Sequence, residues 1–410
     1  MLKSYQILVV GGGAAGLATA ASLRKRNKSL EIAVVEPSDK HYYQPGWTMV
    51  GAGVFNKEDT ERETDTIWPS NVIRIKDEVT EFDPKNNKVT LSNKSEVGYD
   101  ILIVAAGLKL DWDAIEGLSE SLGKNGVTSN YRYDLAPYTW ELVQELKGKD
   151  AIFTQPPMPI KCAGAPQKAM YLSCDHWQKA GQLYNMNVSF CNAGPVLFGC
   201  ATYVPPLMKY VEKYGINLDF GHNLTKIDGA SKKAWFTVKK EGEDTKTIER
   251  SFDMIHVCPP QRAPDFIIKS PLANDGGWVD VNAETLQHNA FSNIFALGDV
   301  TSTSNAKTVA AARKQAPIVA QNVIAYLAEK EPSPLYDGYG SCPLTVEKGK
   351  IILAEFGYGG KVMPTFPWDS TKPRRAAWFL KKSILPIVYW SAMFKGREWL
   401  TKTTKAQHKS

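Results

Sequence analysis

Six residues, Gly11-Gly12-Gly13-Ala14-Ala15-Gly16, constrain this chain more than any other stretch. They follow an apolar run, Tyr5 to Val10, that reads as a buried parallel strand, and they precede Leu17 to Lys25, whose spacing suits a helix. Strand, glycine turn and helix in that order make a dinucleotide-binding unit. Gly11 permits the tight turn, Gly13 lets the backbone approach a pyrophosphate, and Gly16 lets the helix pack on the strand. The helix N-terminus adds N–H donors and the positive end of its dipole. A second strand, Glu31 to Val35, ends at Glu36, 20 residues beyond Gly16, where a carboxylate can accept hydrogen bonds from the adenosine ribose. That charge also argues against a 2′-phosphate.

Two later strands bear on which dinucleotide is held. Tyr99 to Gly107, YDILIVAAG, ends in small residues, and Asn293 to Val300, NIFALGDV, ends in Gly298-Asp299. Both resemble the FAD-contacting strands of the two-dinucleotide-binding-domain flavoproteins, the glutathione reductase superfamily. The resemblance implies that Asp299 holds the ribityl chain and that the turn at Gly107 lies near the cofactor. The expected fold is α/β, with two Rossmann-like domains and a C-terminal membrane-associating region. Residues 1–110 and 290–330 are expected to form a discontinuous FAD-binding domain, 111–289 the second Rossmann-like domain, and 331–410 the quinone and membrane region.

Flavoproteins of this kind that take electrons from NAD(P)H need a second glycine turn. Here the corresponding strand, Ala151 to Thr154, runs into QPPMPIKCAGAPQK, with four prolines and no GxGxxG. A further strand, Asn187 to Cys191, leads into NAGPVLFG, whose glycines stand five apart. The donor expected is therefore not NAD(P)H. The loop offers Cys162 instead, between Lys161 and Ala163-Gly164-Ala165 and just before a predicted helix, Gln167 to Lys179. A neighbouring lysine and a helix N-terminus both favour thiolate, the reactive form.

Of the six cysteines, Cys174, Cys191, Cys200 and Cys258 sit in apolar helix or strand contexts and read as small buried hydrophobes. Cys342 differs, lying in the turn-rich YDGYGSCPL ahead of a strand pair near Leu344 and Ile351 to Phe356. Together with HYYQPGWTMVGAG (His41 to Gly53), IKCAGAPQK (Ile160 to Lys168), GWVDVNAETLQH (Gly277 to His288) and NIFALGDV, this word resembles sulfide:quinone oxidoreductases of the mitochondrial type. The resemblance runs from about Tyr5 into the tail. It implies that Cys162 and Cys342 form a redox-active disulfide, or sulfur-bridged, pair on one face of the flavin ring. It also implies FAD contacts at Ala14, Ala15, Glu36, Gln44, Val79, Asp299 and Lys307. No cysteine precedes Cys162, which excludes a mechanism with a third cysteine in the N-terminal third.

The activity so implied is oxidation of sulfide to a persulfide, with two electrons passing through FAD to quinone. Attack of HS⁻ is expected at Cys342, leaving thiolate on Cys162, and the sulfane sulfur goes to glutathione, sulfite or cyanide. His41, His176 and His256 read as structural or exposed, and no general base stands out. The alternatives are an NADH:quinone oxidoreductase, a sulfide dehydrogenase with a haem partner, and a flavin-containing persulfide carrier without turnover.

Charge is concentrated at the C-terminus. Residues 372–410 carry net +9 and the remainder −3, so no nucleic-acid surface is expected. Trp368, Trp378, Trp390 and Trp399 alternate there with basic pairs, while the longest charge-free run, Ser383 to Phe394, is 12 residues against the ~20 that span a bilayer. Residues 366–400 are thus expected to lie in the headgroup layer as a monotopic segment, the rival being a hairpin packed on the body or used for dimerisation. No secretory signal or transit peptide is visible at the N-terminus, and no metal site is expected. The location expected is peripheral, on a bacterial cytoplasmic membrane or the mitochondrial inner membrane, and a homo-oligomer is compatible with the chain.

Overall fold

The computed structural model describes residues 2–147, 149–239 and 242–401. Lys3–Val10 forms the central strand of the first sheet, flanked in parallel by Ile32–Val35 and Glu96–Val104. Ile7 to Val10, Ile32 to Val35 and Ile101 to Val104 are all buried, as expected where both faces of a parallel sheet are covered. Ile73–Ile75 extends one edge; Lys88–Leu91 and Val79–Asp83 extend the other as antiparallel strands. Ile294–Ala296 returns to pair with Leu102–Val104, so a strand from late in the chain joins this sheet. The helices Ala14–Arg26 and Val309–Leu327 pack against one another over this core.

Gly16 makes the glycine turn possible. A Cβ there would lie 1.9 Å from the Gly11 carbonyl oxygen, so only glycine lets the helix sit this close to the turn. Gly11 itself adopts φ +102°.

The second unit is built on a parallel sheet ordered Val127–Thr128, Met254–His256, Asp150–Gln155, Asn187–Asn192 and Asn217–Phe220. A three-stranded antiparallel sheet, His222–Asp228, Lys233–Val238 and Lys246–Ser251, accompanies it. The boundary expected at 289 differs in the structure: Ala263, Ile267, Leu272, Val279, Val281 and Leu286 pack into the first core. This stretch carries only one short helix, Asp265–Ile268, and little periodic pattern by which its core could be read.

The C-terminal region straddles both cores. Its hairpin, Gly340–Glu347 with Lys350–Phe356, packs Cys342, Leu344, Val346, Ile352 and Ala354 into the second core. Tyr389, Met393 and Phe394 pack into the first. Between them run the short helices Arg375–Phe379 and Leu385–Ser391, joined by a wider helical turn. Among the described residues no helix is long and apolar enough to cross a membrane. Phe379 and Ile387 are each 60% exposed and Trp399 45%, so the segment buries one face and presents another. Lys402, Lys405 and Lys409, part of the expected basic tail, lie outside the described residues.

Replacing Gly16 with alanine is expected to cost at least about 1–3 kcal/mol through overpacking against backbone that cannot yield. Denaturant melts of Gly16→Ala against wild type measure this; equal midpoints would contradict the close approach.

Candidate functional site

Pro156, Pro157 and Pro159 hold the chain out of helix after Asp150–Gln155 and deliver it as a loop to Lys161 and Cys162. There the Cys162 N–H donates to the Lys307 carbonyl at 2.9 Å. Cys162 has φ +50°, a left-handed conformation uncommon for a side-chain-bearing residue and often found at functional positions. The helix Ala165–Lys179 begins three residues later, with Pro166 in its first turn, where a missing N–H costs nothing.

Cys342 comes to this loop from the hairpin, where it pairs in register with Ala354. Gly164 lies against the hairpin at this point: a Cβ there would stand 2.5 Å from Leu344 Cδ2 and 3.7 Å from Cys342 Cβ. The two Sγ atoms are 3.9 Å apart, within hydrogen-bond reach for sulfur. Cys162 is half-buried and lines the main cleft, while Cys342 is 0% exposed behind it.

The two thiols are driven in opposite directions. The hydrogen bond from Cys342 and the Lys168 ammonium, whose Nζ is 3.0 Å from the Cys162 sulfur, hold Cys162 well below the ordinary thiol range. The same hydrogen bond and burial push Cys342 well above it. Burial disfavours the charge on Lys168, but the Cys162 and Cys342 sulfurs together outweigh it and raise the amine. A second buried amine, Lys381 of the tail, is lowered to about 7 by burial and by repulsion from Lys168. The cation expected to activate Cys162 was its neighbour Lys161. Its Nζ instead donates to Gln44 Oε1 at 2.6 Å, and Lys168, six residues on, supplies the charge.

Two clefts meet at this point. One, of about 1150 Å³, is lined by Gly11, Gly13, Ala14, Ala15, Glu36, Gln44, Gly107, Gly298 and Asp299. The other, of about 1280 Å³, shares Gln44 and Asp299, adds Cys162, Lys168 and Lys307, and extends beneath the tail. Glu36 is fixed for its role, accepting from Gly12 N at 2.7 Å and Ser38 N at 2.8 Å. A Cβ on Gly13 or Gly107 would meet nothing within 4 Å, so both glycines leave open cradle beside the turn. Lys307 Nζ donates to the carbonyls of Asp299 and Thr301 at 2.9 and 2.8 Å and, buried, is lowered to about 8. Gly16 lies beneath the turn rather than in the cleft, as its packing role requires. Val79 is 5% exposed, with its side chain in the first core opposite Leu91 rather than on either cleft wall.

Comparison with known proteins bears on the reading at this point. Residues 5–143 match the family model described as pyridine nucleotide-disulphide oxidoreductase. The mitochondrial sulfide:quinone oxidoreductase of Dictyostelium discoideum is 44% identical over 402 residues, 97% of this chain and 88% of the relative. That of Mus musculus is 38% identical over 392 residues, 96% of this chain and 87% of the relative. The chain belongs to the sulfide:quinone oxidoreductase family. The solved sulfide:quinone oxidoreductase from Aquifex aeolicus has the same fold, with a TM-score of 0.80 at 20% identity over 97% of this chain and 92% of that one. Family and fold imply a flavin-type cofactor, and the glycine cradle with Glu36 and Asp299 fits one.

The second sheet is also packed where a nicotinamide turn would stand. Where a pyrophosphate would dock at the N-terminus of Ala165–Lys179, Gly164 is packed against Leu344 and Cys342. The four other cysteines are 0–1% exposed, and burial pushes Cys191 and Cys258 up to about 12. His41 and His256 are buried and lowered to about 4, so both stay neutral near pH 7. His41 is a tether, its Nε2 2.7 Å from the Tyr389 hydroxyl of the tail. His176 stands edge-on to Trp140.

Removing the Lys168 charge should raise the Cys162 pKa toward ~8.5. Iodoacetamide labelling of Cys162 in reduced Lys168→Met at pH 6 is expected to fall by about tenfold, the equivalent of one pKa unit. Unchanged labelling would remove Lys168 from the account.

Proposed function

We propose that this protein oxidises sulfide at the Cys162–Cys342 pair and passes two electrons through FAD to quinone. The observation that carries the reading is the 3.9 Å sulfur pair, polarised by Lys168 and standing where the dinucleotide cleft opens into the cleft under the tail. FAD is favoured over a smaller flavin because Glu36 is held ready for an adenosine ribose at the end of the second strand.

In the oxidised protein the two sulfurs are joined, directly or through one further sulfur. Where the two sulfurs are joined directly, HS⁻ attacks the Cys342 sulfur; a new S–S bond forms there while the bond to Cys162 breaks and its electron pair leaves on Cys162. Attack in this sense makes the lower-pKa thiolate the leaving group, and the Lys168 ammonium stabilises it. Cys342, now a persulfide, is shielded from bulk water by its burial. A small nucleophile such as glutathione, sulfite or cyanide takes the outer sulfur and leaves Cys342 as a thiolate. Bound FAD supplies the two-electron acceptor that lets the Cys162–Cys342 bond re-form and hands the pair to quinone.

Quinone docking is supported by the cleft under the tail, whose walls include Leu353, Leu380, Leu385, Val388 and Met393. Exposed Phe379, Ile387, Trp399 and Leu400, interspersed with Lys382, Lys395 and Arg397, support attachment to the surface of a membrane from which such a quinone would enter. The mitochondrial relatives favour the mitochondrial inner membrane over a bacterial one.

Anaerobic sulfide should bleach the flavin of the purified protein, and a soluble quinone analogue should restore it; Cys162→Ser and Cys342→Ser should lose the bleaching. A flavin untouched by sulfide but bleached by NADH would replace this reading with an NADH:quinone oxidoreductase. Separately, Phe379→Ser combined with Ile387→Ser should reduce sedimentation with anionic vesicles several-fold while leaving sulfide bleaching intact. Unaltered sedimentation would move the membrane contact elsewhere.

A further inference from the structure

The hairpin that carries Cys342 has a second chemical face. In its antiparallel pairing Cys342 stands opposite Ala354, and Ser341 stands opposite Glu355. Adjacent strand residues point to opposite sides, so the sulfur and the carboxylate face away from each other across the same two strands. Cys342 and Ala354 pack into the second core, whereas Ser341 and Glu355 line the cleft under the tail.

Glu355 is 3% exposed in a cleft whose other walls are largely apolar. An ionisable group in such a place is costly unless it is used or well partnered. Its donors are uncharged: the Tyr339 hydroxyl at 2.6 Å, the Thr365 backbone N–H at 3.0 Å and the Thr365 hydroxyl. Tyr339 is itself buried, but Thr365 is exposed on the outer surface. The Glu355 carboxyl group therefore lies one hydrogen bond from the hydroxyl of an exposed residue, and it lines the cleft proposed for quinone. The charged groups lining the same cavity are Arg313 from the long helix, Lys381 from the tail, Lys168 beside the sulfurs, and Lys161, Lys307 and Asp299 toward the dinucleotide cleft, and Arg313 feels both Tyr339 and Glu355. Lys314 lies over the Tyr339 ring but is paired with Asp337.

We propose that Glu355 is the proton donor for quinone reduction and that Thr365 connects it to solvent. This rests on the quinone reading above. A quinone that accepts two electrons needs two protons, and Glu355 is a carboxyl group on the wall of its cleft hydrogen-bonded to an exposed residue, Thr365. As the electron pair arrives, the Glu355 carboxyl O–H bond breaks and an O–H bond forms on a quinone oxygen. The carboxylate is then reprotonated from water through the Thr365 hydroxyl, and the other proton travels with the electron pair. Within the hairpin Cys342 faces the second core and Glu355 faces the cleft, whose wall also carries Cys162.

The test uses the full-length flavin-loaded protein in stopped flow, with the flavin first reduced by sulfide and then reoxidised by a soluble quinone or by ferricyanide, which takes electrons without protons. In Glu355→Gln, quinone reoxidation should slow by about 10²-fold or more, the low end for loss of a general acid. Sulfide bleaching and ferricyanide reoxidation should stay at wild-type rates. Glu355→Asp should recover part of the quinone rate, and Thr365→Val should slow it less than Glu355→Gln while enlarging the solvent deuterium isotope effect. Wild-type quinone reoxidation in Glu355→Gln would overturn the proposal, as would equal losses with both oxidants. If Glu355→Gln does not fold, an unaltered quinone rate and isotope effect in Thr365→Val would overturn it. Failure of the wild-type protein to be reoxidised by quinone would count against the quinone reading instead.

Discussion

The close approach of Leu344 to Gly164 is the contact on which the chemistry depends. A Cβ at 164 would stand 2.5 Å from Leu344 Cδ2, so a side chain there would require the Leu344 side chain beside the sulfur pair to shift. That packing also fills the space at the N-terminus of Ala165–Lys179 with Leu344 and Cys342.

Packing brings the sulfurs together, and electrostatics makes them unequal. A half-buried thiolate beside Lys168 and a fully buried thiol behind it form a pair in which one member is the natural leaving group. The lysine is itself held in its charged form by the sulfur it stabilises, so neither group is set independently. The tail then closes the far side, tied to the glycine-turn region through the His41–Tyr389 hydrogen bond and bringing Lys381 into the same cavity.

Much of this was legible in the sequence where the chemistry is local. Gly11 to Gly16 and Glu36 announce a turn whose geometry depends on a few neighbouring residues, and the first two strands lie within two residues of their expected ends. The pairing of Cys162 with Cys342, 180 residues apart, came through family resemblance, since nothing local records it. Lys161 was the wrong lysine because adjacency in sequence says little about direction; Lys161 reaches Gln44, and the helix brings Lys168 back over the sulfur. Residues 263–289 were assigned to the wrong core because they carry little periodic signal. Glu355 reads in KIILAEF as an ordinary charged strand end, and only the tail folding over it turns that position into part of a buried cleft.

The most direct test of the central claim is peptide mapping of the oxidised protein before and after one equivalent of sulfide under anaerobic conditions. The account predicts Cys162 and Cys342 linked to each other, directly or through one sulfur, with Cys174, Cys191, Cys200 and Cys258 free. Sulfide should then convert the link to a persulfide on Cys342 and a free, alkylatable Cys162. Finding Cys162 and Cys342 unlinked in the oxidised protein, or the added sulfur on one of the four buried cysteines, would contradict it.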